Sequence, residues 1–256
     1  MKVVKITGLI FLARFFVLNS FIRKKEIMKK LVYTTFSILA TVLVLGACQK
    51  EDSSDVNQDK VYTAYELFYN QNSDKTVAIA RLRFGGPTGT LLEATDPASV
   101  TYNGDPMPYS VLYSGHAKEY AGKITGGTFI YTNTENVSFS NTVPSMDTIG
   151  YPSTFTEIVK SQANTLTWEG NALSSNERVN LFIGSWTWGQ DALFFATGNG
   201  TTDLVMGTNA LANLAEGTSN CYLDRVNEVP VSQGTSEGGV IRTRYRPTNI
   251  QVNVIP

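Results

Sequence analysis

The chain carries one histidine, His116, and two cysteines, Cys48 and Cys221, so a Ser-His-Asp or Cys-His arrangement would have to route through a single imidazole. His116 lies in Tyr113-Ser114-Gly115-His116-Ala117, without a nucleophile elbow beside it, and is expected to be a solvated loop residue. A zinc site built from several His and Cys ligands is excluded by count. Carboxylates are plentiful, and a glycosidase needs two of them about 5 to 10 Å apart across a cleft. The sequence gives no pair a special claim beyond the nearness of Glu169 and Asp191 to tryptophans. No catalytic residue, metal or cofactor is expected; a glycan or peptide hydrolase working through a carboxylate pair is the competing class.

Two groups have the chemistry of binding. In Arg178 to Trp188, alternation puts Val179, Leu181 and Ile183 on one face, so an unbroken register places Trp186 and Trp188 together on the other. Paired indoles facing outward make a stacking platform for sugar rings or a partner's apolar surface. A bulge at Gly184 would reverse the register and send both rings into the core. Near the end, Arg242, Arg244 and Arg246 alternate with Ile241, Thr243 and Tyr245, so three guanidinium groups share a strand face. They suit a carboxylate, sulfate or phosphate, or equally acids on a neighbouring strand or the protection of an edge.

The elements holding these groups read as strands. From Val61 onward, short runs of β-branched and aromatic residues recur between Gly, Asn, Asp, Ser and Pro, among them Thr63 to Tyr69, Thr76 to Phe84, Arg178 to Ile183, Ala192 to Thr197 and Gly239 to Arg246. That is the all-β signature. Helix is confined to two short candidates, Phe155 to Ser161 and Ala210 to Ala215. Two stretches of similar plan and near 95 residues each predict two tandem immunoglobulin-like β-sandwiches, residues 61–162 and 163–256, divided near Gln162. One larger sandwich or jelly roll is the alternative.

Ahead of this body stand Met28-Lys29-Lys30, an apolar run from Leu31 to Leu45, and Leu45-Gly46-Ala47-Cys48. The charged n-region and short h-region have the form of an export signal. The four-residue ending resembles the signal of bacterial lipoproteins, which implies cleavage after Ala47, a diacylglyceryl group and further acylation at Cys48, and durable anchoring through several acyl chains. Residues 28–47 are then the signal peptide. Residues 1–27 read as an over-long start, because only one of two consecutive apolar runs can present a cleavage site. Behind the cysteine, Gln49-Lys50-Glu51-Asp52 resembles the export signal of surface lipoproteins of the Bacteroidetes, which implies the outer face of the outer membrane. Asp147-Thr148-Ile149, in a Pro/Ser/Gly-rich loop, is similar to the acceptor pattern for O-glycosylation in that group and marks Thr148.

Charge agrees with this address. Eight of the 21 Lys+Arg and one of the 22 acids fall in the first 47 residues, leaving 13 and 21 and a net charge near −8. Such a chain repels nucleic acid and anionic lipid surfaces. Residues 48–60 are polar and acidic, which predicts a flexible tether. Asp55-x-Asn57-x-Asp59 lacks the glycine and distal glutamate that complete a calcium loop. With Cys48 lipidated, Cys221 has no disulfide partner and is expected to be buried. The sequence therefore predicts a lipid-anchored, non-catalytic surface lipoprotein of the outer membrane, binding a glycan or an outer-membrane protein, or serving as a structural element.

Overall fold

The computed structural model describes residues 51–184 and 189–256. The signal with Ala47, Cys48, Gln49 and Lys50, and the paired tryptophans Trp186 and Trp188, lie outside the described residues. The chain runs through β1 (Glu51–Asp52), β2 (Val61–Asn70), β3 (Lys75–Phe84), β4 (Thr90–Glu93), β5 (Ser99–Tyr102) and β6 (Asp105–Pro106). It continues with β7 (Tyr109–Ser110), β8 (Gly115–Ala121), β9 (Thr128–Thr132), β10 (Ser138–Thr142), β11 (Glu157–Val159) and β12 (Asn164–Thr167). Next come β13 (Glu177–Ile183), β14 (Ala192–Thr197), β15 (Asp203–Met206), a single helical turn α1 (Thr208–Leu211), β16 (Gly217–Pro230), β17 (Gly239–Arg246) and β18 (Ile250–Ile255). The protein is all-β.

Among the described residues the strands form three sheets. The largest has twelve strands in the central order β1-β4-β3-β2-β17-β16-β13-β14, with β8 also on β3 and β18 also on β16. A four-stranded sheet runs β10-β9-β5-β6, and β12 pairs with β15. Most pairings are antiparallel, but β2 and β17 run parallel, from Gly239 opposite Thr63 to Arg246 opposite Asn70.

Alternation explains which face is buried. In β2 the inward residues Val61, Tyr65 and Leu67, and in β3 Ala78, Ala80 and Leu82, are buried. They meet the small sheet, where Tyr65 stacks on Phe129 with ring centroids 4.9 Å apart and Tyr102 tilts against Phe129 at 4.8 Å. The same core cluster extends to Leu181, Leu223, Ile241 and Val254.

This arrangement corrects the division near Gln162. Strand β2, from the first half of the chain, pairs along its full length with β17 from the second half, and residues 50–256 form one compact unit. Neither half could close its own sheet without leaving that ladder unpaired, so the two ranges 61–162 and 163–256 are not separate sandwiches.

The tether is corrected as well, from Glu51 onward. Glu51 and Asp52 pair in parallel with Leu92 and Glu93, and Ser53 and Gln58 are buried. The Gln58 amide donates to the carbonyls of Ser53 and Val56, and its oxygen accepts from Tyr131 Oη and the Thr134 N–H, each at 3.4 Å. Polar composition misleads here because one glutamine supplies the partners that buried backbone requires. Two further differences concern local structure. Phe155 to Ser161 contains not a helix but β11, held by parallel pairing to β18. His116 lies in β8, a strand that its Ala-Lys-Glu content conceals and that pairing with β3 imposes.

Candidate functional site

The outward face of the large sheet is polar at its centre. On it β2 places Glu66 and Phe68, β17 places Arg242, Arg244 and Arg246, β16 places Tyr222, Asp224 and Glu228, and β13 places Arg178 and Phe182. Cross-strand register aligns Glu66 with Arg242 and Glu228, and Phe68 with Arg244. Parallel pairing of β2 and β17 thus brings the three arginines expected on one face against acids from both neighbouring strands.

The contacts form one lattice. Glu66 receives Arg242 Nη2 at 2.9 Å, Arg244 Nε at 2.8 Å and Arg81 Nη1 at 3.4 Å. Asp224 accepts Arg246 through two bonds of 2.7 Å and lies 3.8 Å from Arg244 Nη1. Glu228 is 3.3 Å from Arg242 Nη1 and 3.5 Å from Arg178 Nη2. The Arg244 guanidinium also lies over the Phe68 ring, 3.8 Å from its centroid. Although Arg244 Nε is close to Glu66, its N–H is not aimed to form a hydrogen bond. That pair is Coulombic contact without directed bonding.

Depth sets two of the three acids apart. The Glu66 side chain is 3% exposed and that of Asp224 11%, whereas the five arginines are 22–33% exposed and Glu228, at 29%, lies among them. Five cations against three acids leave a formal surplus of two, carried in the outer layer. Burial alone would raise the Glu66 pKa, but Arg244, Arg242 and Arg81 outweigh it and hold the carboxyl below its usual range. Burial also works against Arg242 and Arg246, yet Glu66 and Asp224 respectively move them upward. Arg244 moves downward: burial leads, and its two arginine neighbours oppose Glu66 and Asp224. Of the three arginines of the stripe, it alone moves downward.

The inward face holds a different arginine. Arg225 is buried beneath the sheet, with Glu177 Oε1 2.9 Å from Nε and Oε2 2.7 Å from Nη2. Its remaining N–H groups donate to the carbonyls of Asn171 at 2.8 Å, Ala172 at 3.1 Å and Thr148 at 3.5 Å, while Asp147 lies 3.4 Å away. Burial pushes the Glu177 carboxyl up, but Arg225 and the Ser174 N–H prevail and lower it. This constellation ties two loops to the sheet.

Thr148 is exposed on one of those loops, between buried Met146 and Ile149. Glu169 pairs with Gly150 in an isolated bridge, and Asp191 packs beside Gly184. His116 is not solvated: it is buried, its Nε2 accepts from the Ala94 N–H at 2.9 Å, and its Nδ1 faces the Met107 carbonyl at 2.9 Å. That geometry fits a neutral ring with its proton on Nδ1. It borders a cleft of 410 Å³ with Glu93, Met107 and Tyr109; a second cleft of 560 Å³ is lined by Phe155, Glu157, Asn164 and Thr165. No group of three or more His, Cys, Asp or Glu suited to a metal occurs among the described residues. Cys221 is buried, which pushes its thiol up to about 12.

Glu66, Phe68, Arg81, Arg178, Asp224 and Glu228 belong to the face without having been singled out from sequence. A glutamate between Tyr65 and Leu67 in an otherwise apolar strand is the signal that could have found one of them. No family model and no curated protein matches the chain. Among solved structures, the human mucin-like protocadherin EC1-2 is similar at 9% identity and a TM-score of 0.19, covering 76% of this chain and 96% of that one. That likeness is too slight to assign a fold or a function.

Proposed function

We infer that the protein is a lipid-anchored, non-catalytic binding module displayed on the outer face of an outer membrane, with the arginine-bearing face of its large sheet as the binding surface. The observation that carries the binding role is the charge balance of that face, five arginines at its surface against one exposed carboxylate, Glu228, and two sunk beneath them, Glu66 and Asp224. Charge left uncompensated at a surface attracts a ligand, whereas buried pairs only hold the fold. The packing of large sheet on small supports reading the body as one large β-sandwich, and Thr148 is accessible to modification.

The anchor rests on the Leu45-Gly46-Ala47-Cys48 ending and the Gln49-Lys50-Glu51-Asp52 segment behind it. Labelling with a radioactive fatty acid in a lipoprotein-producing bacterium tests it. Wild-type protein is expected to take up label and become sensitive to protease added to intact cells. Cys48→Ser is expected to lose the label and accumulate as uncleaved precursor. An unlabelled wild-type protein would remove the address.

A further inference from the structure

We propose that the face formed by Arg81, Arg178, Arg242, Arg244 and Arg246 binds an acidic polysaccharide, a polymer with a carboxylate or sulfate on successive sugar rings. This rests on the binding-module reading and names its ligand class.

Three features select that chemistry. The first is sign. Five of the 13 basic residues beyond residue 47 lie here, so the remainder of that chain holds eight bases against 18 acids outside the lattice. A small positive field inside a negative surround attracts an anion placed on the patch and repels charge that overruns it. Duplex nucleic acid, with a charge about every 1.7 Å, brings far more charge onto that surround than a polymer with one charge per ring.

The second is spacing. Arg242, Arg244 and Arg246 recur at every second residue, about 6.8 Å apart, and Arg81 and Arg178 stand two strands to either side of β17, about 9.6 Å away. The guanidinium groups therefore spread over a surface that several charged rings of one chain can span rather than forming a pocket for one phosphate. Guanidinium forks match planar carboxylate and sulfate oxygens.

The third is the absence of backbone to offer. Strands β2, β17, β16 and β13 are each paired on both sides, so a peptide cannot join at the arginines by strand addition, which needs an edge. What the face does offer beside its charge is ring surface. Phe195 and Leu193, aligned with Asn180 and Phe182 on this face, are 60% and 51% exposed. Apolar C–H faces of sugar rings stack on such surface.

Calorimetric titration of the protein from Gln49 onward with polygalacturonate, dextran and poly-L-glutamate tests the proposal, with thermal midpoints of every variant taken alongside. Polygalacturonate is expected to bind, with affinity falling as salt rises, and dextran and poly-L-glutamate to bind at least tenfold more weakly. Arg244→Gln and the rim variant Arg178→Gln are each expected to weaken binding, by about tenfold and about threefold. Glu228→Gln raises the surplus charge and is expected to tighten binding about twofold to threefold; a purely structural lattice would not respond in that direction. Equal binding of dextran or poly-L-glutamate, no binding of polygalacturonate, or weaker binding by Glu228→Gln overturns the acidic-glycan assignment. New reducing ends released from polygalacturonate would instead overturn the non-catalytic reading, so the two failures are separable.

Discussion

Arg225 and Arg244 stand on neighbouring strands, with Val226 directly opposite Arg244, yet their side chains leave opposite faces of one sheet. Beneath it, Arg225 is 1% exposed and Glu177 3%, and guanidinium and carboxylate meet in two parallel bonds. Above it, three carboxylates serve five guanidinium groups, and the surplus faces water. The same two functional groups thus act as a clamp where both are desolvated and as a charged surface where the guanidinium groups stay in contact with water and outnumber the acids. Stoichiometry and depth, rather than residue type, separate structural arginines from arginines that can hold a ligand.

The largest expected effect comes from breaking the clamp. Glu177→Ala leaves Arg225 charged and buried, which costs about 3–5 kcal/mol; denaturant unfolding of the purified body measures it. Replacing both residues with apolar ones, Glu177→Leu with Arg225→Met, is expected to recover much of that loss, since a buried ion pair contributes little beyond an apolar one of similar volume. On the outward face Arg242→Ala is expected to cost about 1 kcal/mol, as partly exposed pairs do. Equal losses at the two sites would abolish the distinction between them.

Acid sharpens the comparison. Glu66 and Glu177 are both held below the ordinary glutamate value of 4.5 by arginine. A carboxyl whose folded-state pKa lies below its unfolded one stabilises the protein above the unfolded value and stops doing so as pH falls through the folded value. Thermal midpoints are therefore expected to drop as pH is lowered from about 5 to about 3. Glu66→Gln removes its share of that slope. Added salt is expected to lower the contribution of the outward lattice while leaving the buried clamp nearly unchanged. A midpoint constant across this pH range would contradict both assignments.

Much of the fold was legible in the sequence, and the reasons are local. The strands Ala192–Thr197 and Gly239–Arg246 have the bounds that alternation and turn residues give them. Long-range pairing was not legible: nothing in Tyr62 to Tyr69 announces a parallel neighbour about 180 residues away, and dividing the chain near Gln162 followed from that silence. The arginine stripe was visible as a stripe, because alternation is a property of one strand. Its partners were not, because Glu66 reaches it across a parallel ladder and Asp224 and Glu228 across an antiparallel one. Burial of His116 was hidden for a related reason. The hydrogen bonds to Ala94 and Met107 are to backbone, which any sequence could supply.

The smallest expected effect tests how Arg244 is held. Burial and two arginine neighbours disfavour its charge, and the N–H on Nε lacks an aligned acceptor, so the Phe68 ring 3.8 Å from the guanidinium is a third source of support beside Glu66 and Asp224. Phe68→Leu keeps an apolar side chain in the strand but removes the π face, and is expected to cost about 0.5–1 kcal/mol through the cation–π contact. A double-mutant cycle with Arg244→Gln isolates the contact from lost packing, because the packing loss is common to both backgrounds. Coupling near zero would mean that Glu66 and Asp224 alone hold Arg244 in place. Coupling of the expected size would make the ring a fixed platform that orients the guanidinium outward, toward the solvent side of the sheet where a ligand's anion would meet it.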